Sequence, residues 1–499
     1  MNYKNPISAS ENVVTSLIKD TIYYIPSRIL PVLFGFIGLS IYTRVFSPEE
    51  YGNYSLILVT ITLLGMFTYS WVNNSNLRFY RVYKDNNNLN IFYTTSFISV
   101  LLSIFIVSSI LLVLYFFNFV GSAIASYLLY IILVILSTSF FETILNIMRC
   151  DRMAVSVSLY RSISSGFSLI LSLVFIFIYD FNILSILISL FITNCIIALF
   201  LAFKLNFFMH INIKFFSIDV FKEFFKYGIP VMVTLLFTWI LALSNRYIIE
   251  YFCGIREVGI YSAAYQLADY PISLFSSMIA MAAFPIIVDT WEKYGTETTR
   301  LLISKTTRYY ILISLPILTG VIVLSKDLMY ILGDSYSSGF ILLPLICFSE
   351  LLFGLCVFIN KGLELHKKTT ILAIIVGVSA LFNIIINLII VPKYGFVGAG
   401  LSSCISYSIY LLLSIYFSNK YLAWDCPTKT IANVVFSSIL MGVILYAVKS
   451  YLIIPSFIIA LPIYISLGFI LYLLLLYLSG EIKSELRFIT NLINKNVNF

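Results

Sequence analysis

Four ionisable side chains fall inside apolar runs long enough to cross a bilayer: Arg28, Glu142, Asp269 and Glu350. Arg44, Arg246 and Glu250 fall nearer the ends of such runs. Charge at bilayer depth is costly, so each is a candidate for function: an arginine to hold an anion, a carboxyl to couple an ion or carry a proton. Arg28 lies between Pro26 and Pro31. Prolines open the backbone where a helix lines a cavity or packs on protein. Arg28 therefore either faces a water-filled space as an anion site or snorkels to the headgroups from about two turns inside. Asp269, followed by Pro271, and Glu350 lie near the middle of their runs, where snorkelling is difficult. Each must be protonated, paired with a cation or facing water; a structural ion pair with Arg28 or Arg246 is the alternative to ion coupling. Glu142, closer to the cytoplasmic end of its run, is the weakest of the three coupling candidates.

Other chemistries find little support. The seven cysteines are scattered without a Cys-x-x-Cys, and His210 and His366 are far apart, so neither a disulfide framework nor a metal site is expected. No Walker A sequence, HExxH or nucleophile elbow occurs, and neither a cofactor nor catalysis is expected. Asn383 and Asn387 share one helix face, where amides glue membrane helices together. Gly395, Gly398 and Gly400 precede a transmembrane run rather than follow a strand, so they are read as close-packing positions and not as a nucleotide loop.

The elements that position these residues are membrane helices. The chain of 499 residues is 60% hydrophobic and 11% charged, with a mean hydropathy of +0.99. Continuous apolar runs exclude a β-barrel and predict an all-α multi-pass protein of about fourteen spans. The first run, beginning near Thr21, lacks a small-residue cleavage site and reads as a helix rather than a leader.

The runs are duplicated. Glu50-x-Gly52-x-Tyr54-Ser55 returns as Glu257-x-Gly259-x-Tyr261-Ser262. Each copy follows one long apolar run and opens another, so Gly52 and Gly259 mark equivalent hairpins. Spans one to twelve divide into two parallel halves, a common way to build a transport site. The expected organisation is residues 1–203 as a first six-span lobe and 204–226 as a cytoplasmic amphipathic linker helix or a basic linker. Residues 227–417 form the second lobe, and 418–499 form two further spans and a tail. Alternate hydrophilic segments carry about 24 cations against about 6 in the others, which places both termini in the cytoplasm. The net charge of +8 then needs anionic lipid, not nucleic acid, as its partner.

Residues 382–400, FNIIINLIIVPKYGFVGAG, resemble a signature of polysaccharide flippases, an Asn-rich helix ending in a Pro-x-Tyr-Gly-x-x-Gly-Ala turn. Thr43-Arg44 through Tyr54, and Asn245-Arg246-Tyr247 through Tyr261, resemble the stretches after the first helix of each half in the same proteins. These are the Wzx-type flippases of the multidrug/oligosaccharidyl-lipid/polysaccharide exporter superfamily. The resemblance implies two six-helix lobes around a cavity open alternately to each side. It implies an undecaprenyl-diphosphate-linked oligosaccharide as cargo, moved to the outer leaflet of a bacterial cytoplasmic membrane for O-antigen, capsule or exopolysaccharide. Arg28, then Arg246, would hold the diphosphate, and a polymerase and a chain-length regulator would be partners. The two extra spans resemble those of lipid-cargo flippases.

A cation-coupled drug antiporter of the same superfamily is the first alternative; its cavity should be rich in carboxylates and lack cations. A polysaccharide polymerase or ligase should carry a large outer loop with Arg and His, which the sequence lacks. A scaffold or channel subunit fits duplicated halves less well.

Overall fold

In a computed structural model the described residues are 29–119, 121–451 and 457–483. Arg28 lies outside them. The described residues form helices and no strand, and eleven of the helices are long and apolar enough to cross a membrane. The helix Ile29–Val45 is apolar but shorter. Ile255–Tyr330 and Thr369–Ser418 contain 76 and 50 residues, against the roughly 20 that one crossing needs. Each is broken by a glycine with non-helical backbone, Gly295 (φ 76°, ψ −164°) and Gly395 (φ 59°, ψ −146°). Both breaks fall between spans that the sequence separates. Nothing lies within 4 Å of where a Cβ on Gly395 would be, so this glycine serves its left-handed backbone rather than close packing. Gly398 is crowded instead: a Cβ there would lie 3.0 Å from the carbonyl oxygen of Ile390.

Local sequence explains the start of the second helix, Pro48–Gly65. Ser47 and Glu50 form a capping box: the Glu50 carboxylate accepts from the Ser47 N–H at 2.9 Å, and Ser47 Oγ accepts from the Glu50 N–H at 3.3 Å. Pro48 occupies the first helical position, where its missing N–H costs nothing. This helix passes through a π-helical turn, Met66–Ser70, into Trp71–Asp85.

Packing groups the chain into two compact units. One comprises the described residues up to Ala263 together with Val376–Ser402. Its aromatic core gathers Trp71, Tyr80, Phe92, Tyr93, Phe207 and Phe224. Segment 204–226, expected as an amphipathic helix or a basic linker, is two short 3-10 turns, Phe207–His210 and Ile213–Phe215, followed by the start of the long helix Ile218–Leu243. Asn206 in the left-handed region interrupts it, and the Ser217 side chain caps a new helix at Val220. Nor does its apolar face seek lipid throughout, since Phe207 and Phe224 are buried.

The other unit comprises Ala264–Ile375 and the described residues from Ser403 onward. Here Thr428–Tyr451 and Phe457–Leu478 pack along the second part of the 76-residue helix. Tyr472 donates to the carbonyl of Leu312 at 2.7 Å. Lys449 pairs with Asp327 at one end of this contact. At the other, Glu481 accepts from Thr430 at 2.6 Å, Asn433 at 3.0 Å and Arg308 at 3.0 Å. Burial pushes the Glu481 carboxyl up, but these bonds and the Arg308 charge outweigh it and hold it below its ordinary value. A lowered carboxyl stabilises the fold above its unfolded value of about 4.3, and that stability disappears as pH falls through the folded value. Glu481→Gln is therefore expected to lower stability at pH 7 by about 1–3 kcal/mol. Thermal unfolding of the purified protein should show the gap to wild type closing below about pH 4.

Candidate functional site

The two copies of the repeated motif touch each other within one compact unit. Gly52 and Gly259 face across a backbone-to-backbone contact: a Cβ on Gly52 would lie 2.1 Å from the carbonyl oxygen of Ile255, and one on Gly259 would lie 1.9 Å from that of Pro48. Ser55 Oγ donates to Ser262 Oγ at 2.7 Å across 207 residues of chain. Arg256 Nε lies 3.6 Å from Glu49 Oε1. Gly52 and Gly259, Ser55 and Ser262, and Glu49 and Arg256 are pairs with one common offset, and that offset exchanges the Gly52–Ile255 contact with the Gly259–Pro48 contact, so the contact is reciprocal, as across a local two-fold axis.

Arg246 enters this contact. Its side chain is buried, donates from Nε to Ser262 Oγ at 3.2 Å, and lies over the Tyr261 ring at 5.6 Å from the centroid. The neighbouring Asn245 donates from Nδ2 to Tyr261 Oη at 2.9 Å, and accepts at Oδ1 from Asn387 Nδ2 at 2.9 Å. Asn387 also donates to the carbonyl of Asn383, one turn back, at 2.8 Å. The structure thus brings Arg246, Asn383, Asn387, Gly52 and Gly259 into one buried polar seam. The sequence paired Gly52 with Gly259 and Asn383 with Asn387, but connected neither pair to the other or to Arg246. The constant offset between the motif copies was the available clue.

Asp269 and Glu350 belong to the other unit. Glu350 is 6% exposed, and its Oε1 accepts from the Tyr265 hydroxyl at 2.6 Å. Tyr310 donates to the backbone carbonyl of Leu351 at 3.0 Å, on the same turn. Asp269 follows Tyr265 by four helical residues and so shares its face. The arrangement sets one carboxyl on a phenol, with a second carboxyl one turn along the helix that carries the phenol. Tyr265 gave no sequence signal, because its partner lies 85 residues away.

Glu142 is paired: Arg161 Nη2 lies 2.6 Å from its Oε2. Arg161 gave no sequence signal as the partner of Glu142, 19 residues earlier; it is carried by the separate helix Ala154–Tyr179.

Residues 17–291, more than half of the chain, match the sequence profile of the polysaccharide biosynthesis protein family. The chain belongs to that family. Residues 230–389 also match the MatE profile. One relative of this polysaccharide biosynthesis protein is the probable low-salt glycan biosynthesis flippase Agl15 of Haloferax volcanii, 23% identical over 204 residues. That match covers 41% of this chain and 43% of Agl15, so it spans less than half of the relative. The capsular polysaccharide biosynthesis protein CapF of Staphylococcus aureus is 24% identical over 419 residues, 81% of this chain and 100% of CapF. The solved structure of lipid II flippase MurJ in an inward closed conformation shares the fold at a TM-score of 0.77 and 17% identity, over 94% of this chain and 99% of MurJ. The family resemblance carried by the Asn-rich helix and the repeated turn is borne out, as is an all-α multi-pass membrane fold.

Proposed function

We propose that this chain is a flippase that moves an undecaprenyl-diphosphate-linked oligosaccharide from the inner to the outer leaflet of a bacterial cytoplasmic membrane. The observation that carries this reading is the family match over residues 17–291. Names of relatives that describe glycan flipping and capsule synthesis support it. The duplicated halves, twelve of about fourteen spans in a chain with both termini cytoplasmic, alternate access to each face, and the oligosaccharide passes on to surface-polymer synthesis by a polymerase and its chain-length regulator. A charged, sugar-bearing headgroup cannot cross hydrocarbon unaided, so a polar path through the protein is a physical requirement. Arg28 and Arg246 hold the diphosphate, and Asp269 and Glu350 couple the movement to an ion.

Inactivating the gene tests the reading. The expected result is loss of surface polysaccharide and accumulation of a lipid-linked oligosaccharide in the inner leaflet. The MatE match over 230–389 favours one second reading, a cation-coupled drug antiporter. Unchanged polysaccharide with raised drug sensitivity would decide for it. Arg28→Ala should abolish surface polymer while the protein remains in the membrane; polymer of normal length and amount would remove Arg28 from the diphosphate site.

A further inference from the structure

The helix Ala154–Tyr179 has two faces. Val155, Leu159, Ile163, Phe167 and Ile170 are large, apolar and exposed, and recur at helical spacing as a lipid-facing stripe. Ser158, Arg161, Ser165, Ser168 and Ser172 recur on another face. At 3.6 residues per turn, Arg161 points about 160° away from Leu159 and Ile163. Its side chain is nevertheless 42% exposed. Arg161 lies about 10 Å along this helix from Ala154. The exposed guanidinium thus opens on the face opposite the apolar stripe, about two turns inside the helix.

Arg161 carries five N–H donors. Among the described residues one hydrogen bond is seen, from Nη2 to Glu142 Oε2 at 2.6 Å. Glu142, 22% exposed, comes from the neighbouring helix Leu128–Cys150. Tyr69 is close enough to both to interact electrostatically. It is carried by the π-helical turn Met66–Ser70, a type of interruption found often at functional sites. The pair has the chemistry of an occupied anion site: a planar fork suited to phosphate, most of its donors open, and a carboxylate on one of them.

We propose that Arg161 binds a phosphate group of the lipid-linked cargo and that Glu142 is its placeholder, neutralising the guanidinium until phosphate displaces it. The choice of cargo rests on the flippase reading; the phosphate chemistry rests on the site. The placeholder makes an unusual demand: removing its two members must shift affinity in opposite directions. A purely structural ion pair gives no such split.

The test titrates the purified full-length protein with inorganic pyrophosphate, undecaprenyl diphosphate and phosphatidylglycerol in separate arms. Glu142→Gln is expected to bind the first two about fivefold more tightly, since no carboxylate competes. Arg161→Gln should bind them about tenfold or more weakly. Arg161→Lys keeps the charge and the pair but loses the fork, and should fall between Arg161→Gln and wild type; it serves if Arg161→Gln fails to fold. Pyrophosphate should raise the melting temperature of Glu142→Gln more than that of wild type. Shifts of both variants in one direction, or no shift in either, overturn the proposal. Binding of phosphatidylglycerol as tight as that of undecaprenyl diphosphate also overturns it, in favour of a lipid headgroup site. Because binding is measured without transport, these outcomes are separate from the gene-inactivation result that judges the flippase reading.

Discussion

Gly259→Ala is expected to destabilise this protein by about 3 kcal/mol, although alanine is the better helix former. A Cβ at this position would lie 1.9 Å from the Pro48 carbonyl oxygen and 2.8 Å from its carbon. The obstacle is backbone, so no side-chain rotation relieves it; the two helices must separate. Separation lengthens the Ser55–Ser262 hydrogen bond, now 2.7 Å, and leaves two buried hydroxyls poorly paired. Gly52→Ala should cost a similar amount, because its Cβ would meet the Ile255 carbonyl oxygen at 2.1 Å. The two costs should not add, since either change already opens the same contact. Gly320 is the control. It lies in the same 76-residue element with nothing within 4 Å of its would-be Cβ. Gly320→Ala should be neutral or stabilise by about 0.5–1 kcal/mol. Thermal unfolding in detergent reads all four proteins. Gly259→Ala melting with wild type would show that the two motif copies do not form this contact.

The second large effect is expected at Glu350. Its carboxyl sits on the Tyr265 hydroxyl at 2.6 Å and is nearly closed to solvent. Glu350→Gln keeps the shape and most hydrogen-bonding capacity but cannot exchange a proton or pair with a cation. If this carboxyl couples transport, the variant in proteoliposomes should lose about tenfold or more of its response to an imposed pH gradient, within the range of a coupling free energy of about 1–3 kcal/mol. Asp269→Asn should fall in the same direction. Tyr265→Phe removes one hydrogen bond and leaves the carboxyl, so it should retain a response while losing about 1–3 kcal/mol of stability. Wild-type responses from both carboxyl variants would assign Glu350 and Asp269 a structural part only.

The physics separates what could be read along the chain from what could not. Bilayer crossing depends on about 20 consecutive apolar residues, a local property, and so helical spans were legible. Ser47-Pro48-Glu49-Glu50 spelled its own helix start, because a capping box closes within four residues. Segment 204–226 stayed open between two readings for the converse reason. Its mixture of lysine and phenylalanine fits an amphipathic helix, yet a left-handed Asn206 and the Ser217 cap divide it, while the aromatic core draws Phe207 and Phe224 inward. Arg161 was not legible as a partner of Glu142, because the pair joins two different helices, Leu128–Cys150 and Ala154–Tyr179.

Composition and hydropathy alone therefore determined that this is a multi-pass helical membrane protein, because water and lipid select residues independently of the partners those residues find. The Glu-x-Gly-x-Tyr-Ser motif was visible twice, but its use was not. Only the tertiary structure decided that Gly52 lies against Ile255 and Gly259 against Pro48, that Asn387 reaches Asn245, and that Glu350 rests on Tyr265. Such contacts join residues 85 to 211 positions apart. They depend on which helix faces meet, and a hydropathy pattern that looks alike on every apolar helix cannot specify that meeting.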